Sequence, residues 1–135
     1  MNRAIFLDTS YFLALMRKRD VLHEVALKAS VGYTGPFVTT DLVLVELANS
    51  LALLLYRASA VAAIEKIRAD KKTEVVSFGP EGMKRAFDFY KGRKDKEWGL
   101  VDCFSFVTMK EKRISVALTF DDHFRQAGFE APLLT

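Results

Sequence analysis

The sequence predicts an α/β protein: a parallel sheet with helices on both of its faces. Three observations carry that prediction. Short apolar runs alternate along the chain with longer segments of helical periodicity, as repeated βαβ units do. The first run, Ala4-Ile5-Phe6-Leu7, is apolar without alternation, as a strand buried on both faces requires. That run stops on an acid, Asp8, and two hydroxyls, Thr9 and Ser10, before residues 11–16 resume an apolar helical pattern. Asp8 is thereby placed at the carboxyl end of a central strand, on the edge where open parallel sheets bind ligands.

The chain has 135 residues, which fits one domain spanning 1–135. Half of the residues are hydrophobic and eleven are Phe, enough for a sizeable core. No stretch approaches the ~18 uncharged apolar residues of a membrane span. The longest candidate, residues 47–55, is interrupted by Asn49 and Ser50. Residues 1–3 leave no room for a signal-peptide layout before the first strand. A single cysteine, Cys103, excludes an intrachain disulfide and a cysteine-based zinc cage, so a cytoplasmic location is expected. The net charge of +3 and pI near 9.0 are mildly basic and do not by themselves argue for nucleic acid. The distribution is more informative. Lys91-Gly92-Arg93-Lys94-Asp95-Lys96 packs four cations into six residues just before Trp98. Arg93, Lys94 and Lys96 are therefore candidate phosphate contacts. The other basic clusters read as solvated helix ends.

The elements follow in order. Asp20 is placed to cap a second helix, with Leu22, Val25, Ala26 and Ala29 at helical spacing and Gly32 and Thr34-Gly35-Pro36 ending it. Residues 37–39 form a short strand. Thr40 or Asp41 caps an apolar helix over residues 42–56, and Ser59 starts another with Ala60, Ile64 and Ile67 on one face. Residues 73–78 form a strand, and Gly79-Pro80-Glu81 starts a helix with proline near its first position. Gly99 opens a helix in which Leu100, Cys103, Phe104 and Val107 recur at helical spacing. Residues 114–118 form a strand. Asp121 or Asp122 begins a short helix ended by Gly128, and residues 129–133 give a last edge strand containing Pro132.

Three further acids stand out. Glu46 lies in Leu42-Val43-Leu44-Val45-Glu46-Leu47-Ala48, where most neighbours want burial, with Asn49 and Ser50 on its own face. Asp102 sits opposite its helix's apolar stripe, with Ser105 at i+3. Asp121 or Asp122 follows an apolar strand, as Asp8 does. Each has a structural excuse. Asp8 can simply cap a helix, Asp102 can answer the helix dipole, and Glu46 can sit at a rim. All four, however, are placed on the same carboxyl edge of the sheet. With one cysteine and two histidines in the chain, they describe an all-oxygen site suited to Mg²⁺ or Mn²⁺. Without a phosphate-cradling glycine loop, such a site points to metal-assisted phosphodiester hydrolysis. Side chains alternate along a strand, and if Thr119 and Asp121 continue that alternation they share a direction while Asp122 points aside.

These segments resemble the ordered acidic motifs of the PIN domain. They are Phe6-Leu7-Asp8-Thr9-Ser10, Val45-Glu46-Leu47-Ala48-Asn49, residues 98–106 around Asp102, and Ala117-Leu118-Thr119-Phe120-Asp121-Asp122-His123-Phe124. The tail from His123 to Phe129 is similar to VapC-type toxin ribonucleases. The resemblance implies a three-layer α/β/α sandwich around a five-stranded parallel sheet. It also implies a Mg²⁺/Mn²⁺-dependent RNA endonuclease, commonly a homodimer held in check by a cognate antitoxin. Carried over by position, Asp8, Glu46, Asp102 and Asp121 form the acidic site that holds metal and catalyses. Thr9 and Thr119 lie beside it as supporting hydroxyls, and Ser105 is a third candidate from its place near Asp102. His123 is a departure, since relatives often carry an acid there. The competing reading is a catalytically idle PIN-like module that binds RNA or protein. A haloacid-dehalogenase-like phosphatase is disfavoured, because it needs a second aspartate where Ser10 stands. Leu51, Leu53, Leu54, Leu55 and Tyr56 supply more apolar surface than one sheet face needs, so self-association is expected.

Overall fold

The computed structural model describes residues 3–134. Among them, Ile5–Leu7 (β1), Phe37–Thr40 (β2), Thr73–Val76 (β3) and Ala117–Leu118 (β4) form one sheet, ordered β3-β2-β1-β4, with every pairing parallel. The helices are Thr9–Met16 (α1), His23–Gly32 (α2), Asp41–Ser50 (α3), Leu54–Ala69 (α4), Gly79–Lys91 (α5), Leu100–Glu111 (α6) and His123–Gln126 (α7). The expected layered α/β architecture is present. β1 is central, bonded to the backbone on both sides: Ile5 N–H donates to Pro36 O at 3.0 Å and Phe6 N–H to Val116 O at 3.0 Å. Of its apolar run, Ala4, Phe6 and Leu7 are buried, Phe6 completely, and Ile5 is half-buried.

The sheet has four strands where five were expected. Residues 129–133 contribute a single parallel bridge, Val116 to Glu130. Pro132 has no N–H to extend the ladder, and Gly128 turns with φ +95° just before it, so little chain remains to pair. β4 itself is shorter than the expected 114–118.

The apolar stretch 42–56 is two elements, not one helix. Thr40 caps α3, its hydroxyl accepting from Val43 N–H at 3.1 Å. The helix stops at Ser50, where Leu51 N–H is shared between the carbonyls of Leu47 and Ala48. Leu53 is extended (φ −61°, ψ 144°), and α4 begins at Leu54, five residues ahead of the expected Ser59. Leucine favours helix at every position here, so composition carries no sign of the break. Its cause is tertiary: Leu51 is buried in the core while Leu53, Leu54 and Leu55 stay outside. The expected inner face of α4 holds, with Ala60, Ile64 and Ile67 packed on the core. Asp20 caps the turn ahead of α2: its carboxylate accepts from Leu22 N–H at 2.8 Å.

α6 is the most buried helix, with Cys103 through Met109 all inside. Beside it, α5 approaches closely through Gly82, and Phe78 meets Phe104 edge-on at 4.9 Å. A Cβ built on Gly82 would lie 2.9 Å from the Phe104 ring and 3.2 Å from the Phe78 ring. Neither ring is a flexible chain end. Alanine gains up to ~1 kcal/mol in helix propensity, but overpacking costs roughly 1–3 kcal/mol. Gly82→Ala is therefore expected to lower the midpoint of urea unfolding. An unchanged or raised midpoint would mean that α5 can move off α6 freely.

Candidate active site

Parallel pairing sets every strand's carboxyl end on one edge, and the acids gather there. Asp8 follows β1 directly and caps α1, so the structural and the site readings of this residue coexist. Its Oδ2 accepts from the hydroxyls of Thr119 at 2.8 Å and Ser10 at 2.8 Å, and from Ser10 N–H at 3.4 Å. The two hydroxyls are 3.2 Å apart. With both hydrogens committed to Asp8, each hydroxyl accepts from the β4–α7 backbone instead. Phe120 N–H donates to Ser10 at 2.8 Å and Asp121 N–H to Thr119 at 3.0 Å. Asp8 is only 5% exposed. That burial pushes its carboxyl up to about 6, against the lowering effect of the Thr119 and Ser10 bonds, and the charge of Asp102 adds to the rise.

The second group sits where α6 begins and α7 follows β4. Asp102 lies in the first turn of α6, and its pKa is raised, first by burial and then by the Asp121 charge, while the His123 hydrogen bond lowers it. His123 Nδ1 stands 3.1 Å from Asp102 Oδ2 and 3.4 Å from Asp121 Oδ1. Asp121 Oδ1 also accepts from His123 N–H at 2.9 Å. One ligand atom from each of these three residues lies within 4.8 Å of the others.

Glu46 joins the edge through Thr9, whose hydroxyl donates to Oε1 at 2.6 Å. Glu46 is exposed although most of its neighbours are apolar, because α3 turns its Val43, Leu44 and Leu47 inward and this residue outward, as a rim position requires. Thr9 and Thr119 each hydrogen-bond a different acid, Glu46 and Asp8 respectively. Ser105 does not follow them. α6 is too deeply packed to have an outer face there, and the Ser105 hydroxyl is buried without a hydrogen-bond partner among the described residues. Asp122 is turned away and pairs with Arg125 at 2.7 Å, which together with Gln126 holds its carboxyl below the usual range. Two contacts escaped the sequence reading. Ser10 could have been suspected from its place two residues after the capping Asp8. His123 carried a signal, since it stands two residues past Asp121.

Among the described residues, no lysine or arginine pairs with Asp8, Glu46, Asp102 or Asp121. Uncompensated carboxylates, two with raised pKa, fit a divalent cation, and the oxygen-rich donor set with one imidazole suits a hard or borderline ion. Next to this edge, Tyr90, Arg93, Lys94, Lys96, Trp98 and Gly99 line a cleft. Arg93 lies over Phe89 at 4.6 Å and Lys96 over Trp98 at 6.0 Å. Gly99, which lines the cleft, is also the N-cap residue of α6, the helix that carries Asp102 in its first turn.

The raised pKa of Asp8 has a stability consequence. A carboxyl at about 6 when folded and 3.8 otherwise takes up a proton on folding between those values. Its contribution is intact below pH 3.8 and is lost as pH rises towards about 6. The loss is on the order of 3 kcal/mol at neutral pH. Asparagine can offer its carbonyl to both hydroxyls without charge. In chelator, Asp8→Asn should melt above the wild type at pH 7 and converge with it near pH 4. Parallel melting curves across that range would show that Asp8 ionises at an ordinary pKa.

The family model for the PIN domain matches residues 5–130. The chain is 30% identical over 125 residues to the 23S rRNA-specific endonuclease VapC20 of two Mycobacterium tuberculosis strains, covering 93% of this chain and 95% of the relative. The crystal structure of Mycobacterium tuberculosis VapC20, described as a Sarcin-Ricin loop cleaving toxin, superposes with a TM-score of 0.85 at 29% identity. That match covers 93% of this chain and 96% of the other. A parallel sheet ending in four ordered acids, a match along nearly the whole length and a shared architecture lead to one conclusion: the chain belongs to the PIN domain family.

Proposed function

We propose that this protein is a Mg²⁺- or Mn²⁺-dependent endoribonuclease, the toxin of a toxin–antitoxin pair, with residues 1–135 forming one nuclease domain. The observation that carries the reading is the gathering of Asp8, Glu46, Asp102 and Asp121 on one sheet edge, with no lysine or arginine among the described residues paired to them. Loss of acids from that edge would have favoured an idle binding module. Their retention, with raised pKa values at two of them, favours an enzyme.

Asp102 and Asp121, with Asp8 and Glu46 on the same edge, would hold the cation. When bound, it acidifies water and offsets the charge that develops on the phosphate. The residues around it have distinct tasks. Thr119 and Ser10 fix the Asp8 carboxylate, and Thr9 fixes that of Glu46. Without the cation, burial holds the Asp8 carboxyl up to about 6, and the cation's charge would favour its carboxylate form. The cleft of Arg93, Lys94 and Lys96 would seat the RNA backbone beside the scissile bond. The 23S rRNA specificity of the VapC20 relatives supports a structured ribosomal RNA loop as the first substrate to test.

Partners follow from exposed apolar surface. Leu53, Leu54 and Leu55 are 69%, 88% and 80% exposed, and Tyr56 and Val61 lie close behind. That surface supports a homodimer. An apolar cleft between α1 and α4, lined by Leu7, Tyr11, Phe12, Leu15, Met16 and Ile67, supports binding of an antitoxin segment. No helix among the described residues is long and apolar enough to cross a membrane. An RNA substrate and a single cysteine agree with a cytoplasmic setting.

RNA cleavage should require Mg²⁺ or Mn²⁺, and full activity in excess EDTA would overturn the metal-dependent reading. Asp121→Asn should lower cleavage at least about a hundredfold while the protein stays folded. Asp122→Asn, which loses the Arg125 ion pair and alters the Gln126 contact on the far side from the other acids, should keep most of its activity. The opposite ranking at saturating Mn²⁺ would place the ligand one residue later. Leu54→Glu combined with Leu55→Glu should convert a dimer to a monomer by light scattering, and a wild-type monomer at tens of micromolar would remove the dimer.

A further inference from the structure

The acids that the sequence marks as a quartet are not evenly disposed. Within the described residues, the group with metal-ligand spacing is Asp102, Asp121 and His123, and one of its three donors is a nitrogen. An ion about 2.1–2.2 Å from two donors leaves them about 3.0 Å apart at a right angle and about 3.5 Å apart at a tetrahedral one. His123 Nδ1 is 3.1 Å from Asp102 Oδ2 and 3.4 Å from Asp121 Oδ1, on that scale for both pairs.

The imidazole is not a loose surface group. Its own backbone N–H is held by Asp121 Oδ1 at 2.9 Å. The next residue, Phe124, is fully buried and packs edge-on against Phe106 at 4.9 Å and beside Phe6 at 6.0 Å. Asp102 starts the helix that carries Phe106. The same aromatic packing thus fixes both the carboxylate and the imidazole, and their separation is built into the fold.

We propose that His123 Nδ1 is a metal ligand, which makes this centre a mixed nitrogen–oxygen site that favours Mn²⁺ over Mg²⁺. Mg²⁺ takes oxygen donors and gives up its waters reluctantly, whereas imidazole suits transition ions. The inference rests on the reading above that this edge binds a divalent cation. The competing arrangement is an imidazole that bridges the two carboxylates by hydrogen bonding and leaves when an ion enters.

Binding can be read without any RNA. Metal-free protein is titrated with Mn²⁺ and with Mg²⁺ by calorimetry, and the Mn²⁺-loaded protein is studied by pulsed electron paramagnetic resonance for coupling to an imidazole nitrogen. The expected wild-type result is nitrogen coupling and Mn²⁺ bound at least about tenfold more tightly than Mg²⁺. His123→Asp should abolish the coupling and shrink the preference severalfold while binding persists. His123→Gln gives the same readouts without an added charge, should the aspartate variant fail to fold. Mn²⁺ bound without nitrogen coupling, or a preference unchanged in both variants, overturns the ligand role but leaves the metal-dependent reading standing. Absence of binding by either ion overturns both.

Discussion

The site depends on one buried carboxylate and the two hydroxyls that solvate it. Asp8 directly follows the central strand, and its Oδ2 is bound by Ser10 from the helix it caps and by Thr119 just past the neighbouring strand. Burying an unpaired carboxylate is costly, and here three donors replace water only in part, which is why the group titrates late. The same hydroxyls accept from Phe120 and Asp121 N–H, so solvating Asp8 also fixes the backbone that presents Asp121.

Gathering like charges on one edge raises electrostatic energy, and something else must hold them there. An aromatic underlayer does so. Phe6 of β1, Phe106 of α6 and Phe124 of α7 pack together, with Trp98 meeting Phe106 at 5.0 Å and donating to Gln126 at 3.1 Å. Each element that bears Asp8, Asp102 or His123 therefore contributes a ring to a common support. Aromatic pairs of this kind add roughly 0.5–1.5 kcal/mol each beyond area burial, and they oppose the repulsion above them.

Much of this was legible in the sequence because local rules governed it. The buried central strand, the Thr40 cap, the proline-led start of α5 and the strand-end positions of Asp8 and Asp121 follow from apolar patterning and capping chemistry. What escaped was tertiary. The break after Ser50 lies within a leucine-rich run, where propensity is uniform and only the burial of Leu51 against the exposure of Leu53 distinguishes the two sides. Ser105 looked like a companion of Asp102 because helical spacing says nothing about a helix buried all round. His123 was noticed as a departure, yet its reach to Asp102 depends on how α7 docks against α6, which no local pattern encodes.

Thr119 and Asp8 are 111 residues apart in the chain, and β1 gains its β4 partner only from that distant segment. Contacts of such long range form late and slowly, because the loop they close is nearly the whole molecule. A growing polypeptide can build α1, α2 and the β1–β2 pair while the acidic edge still lacks Thr119 and Asp121. The acidic edge is therefore complete only when nearly all of the chain is available to fold.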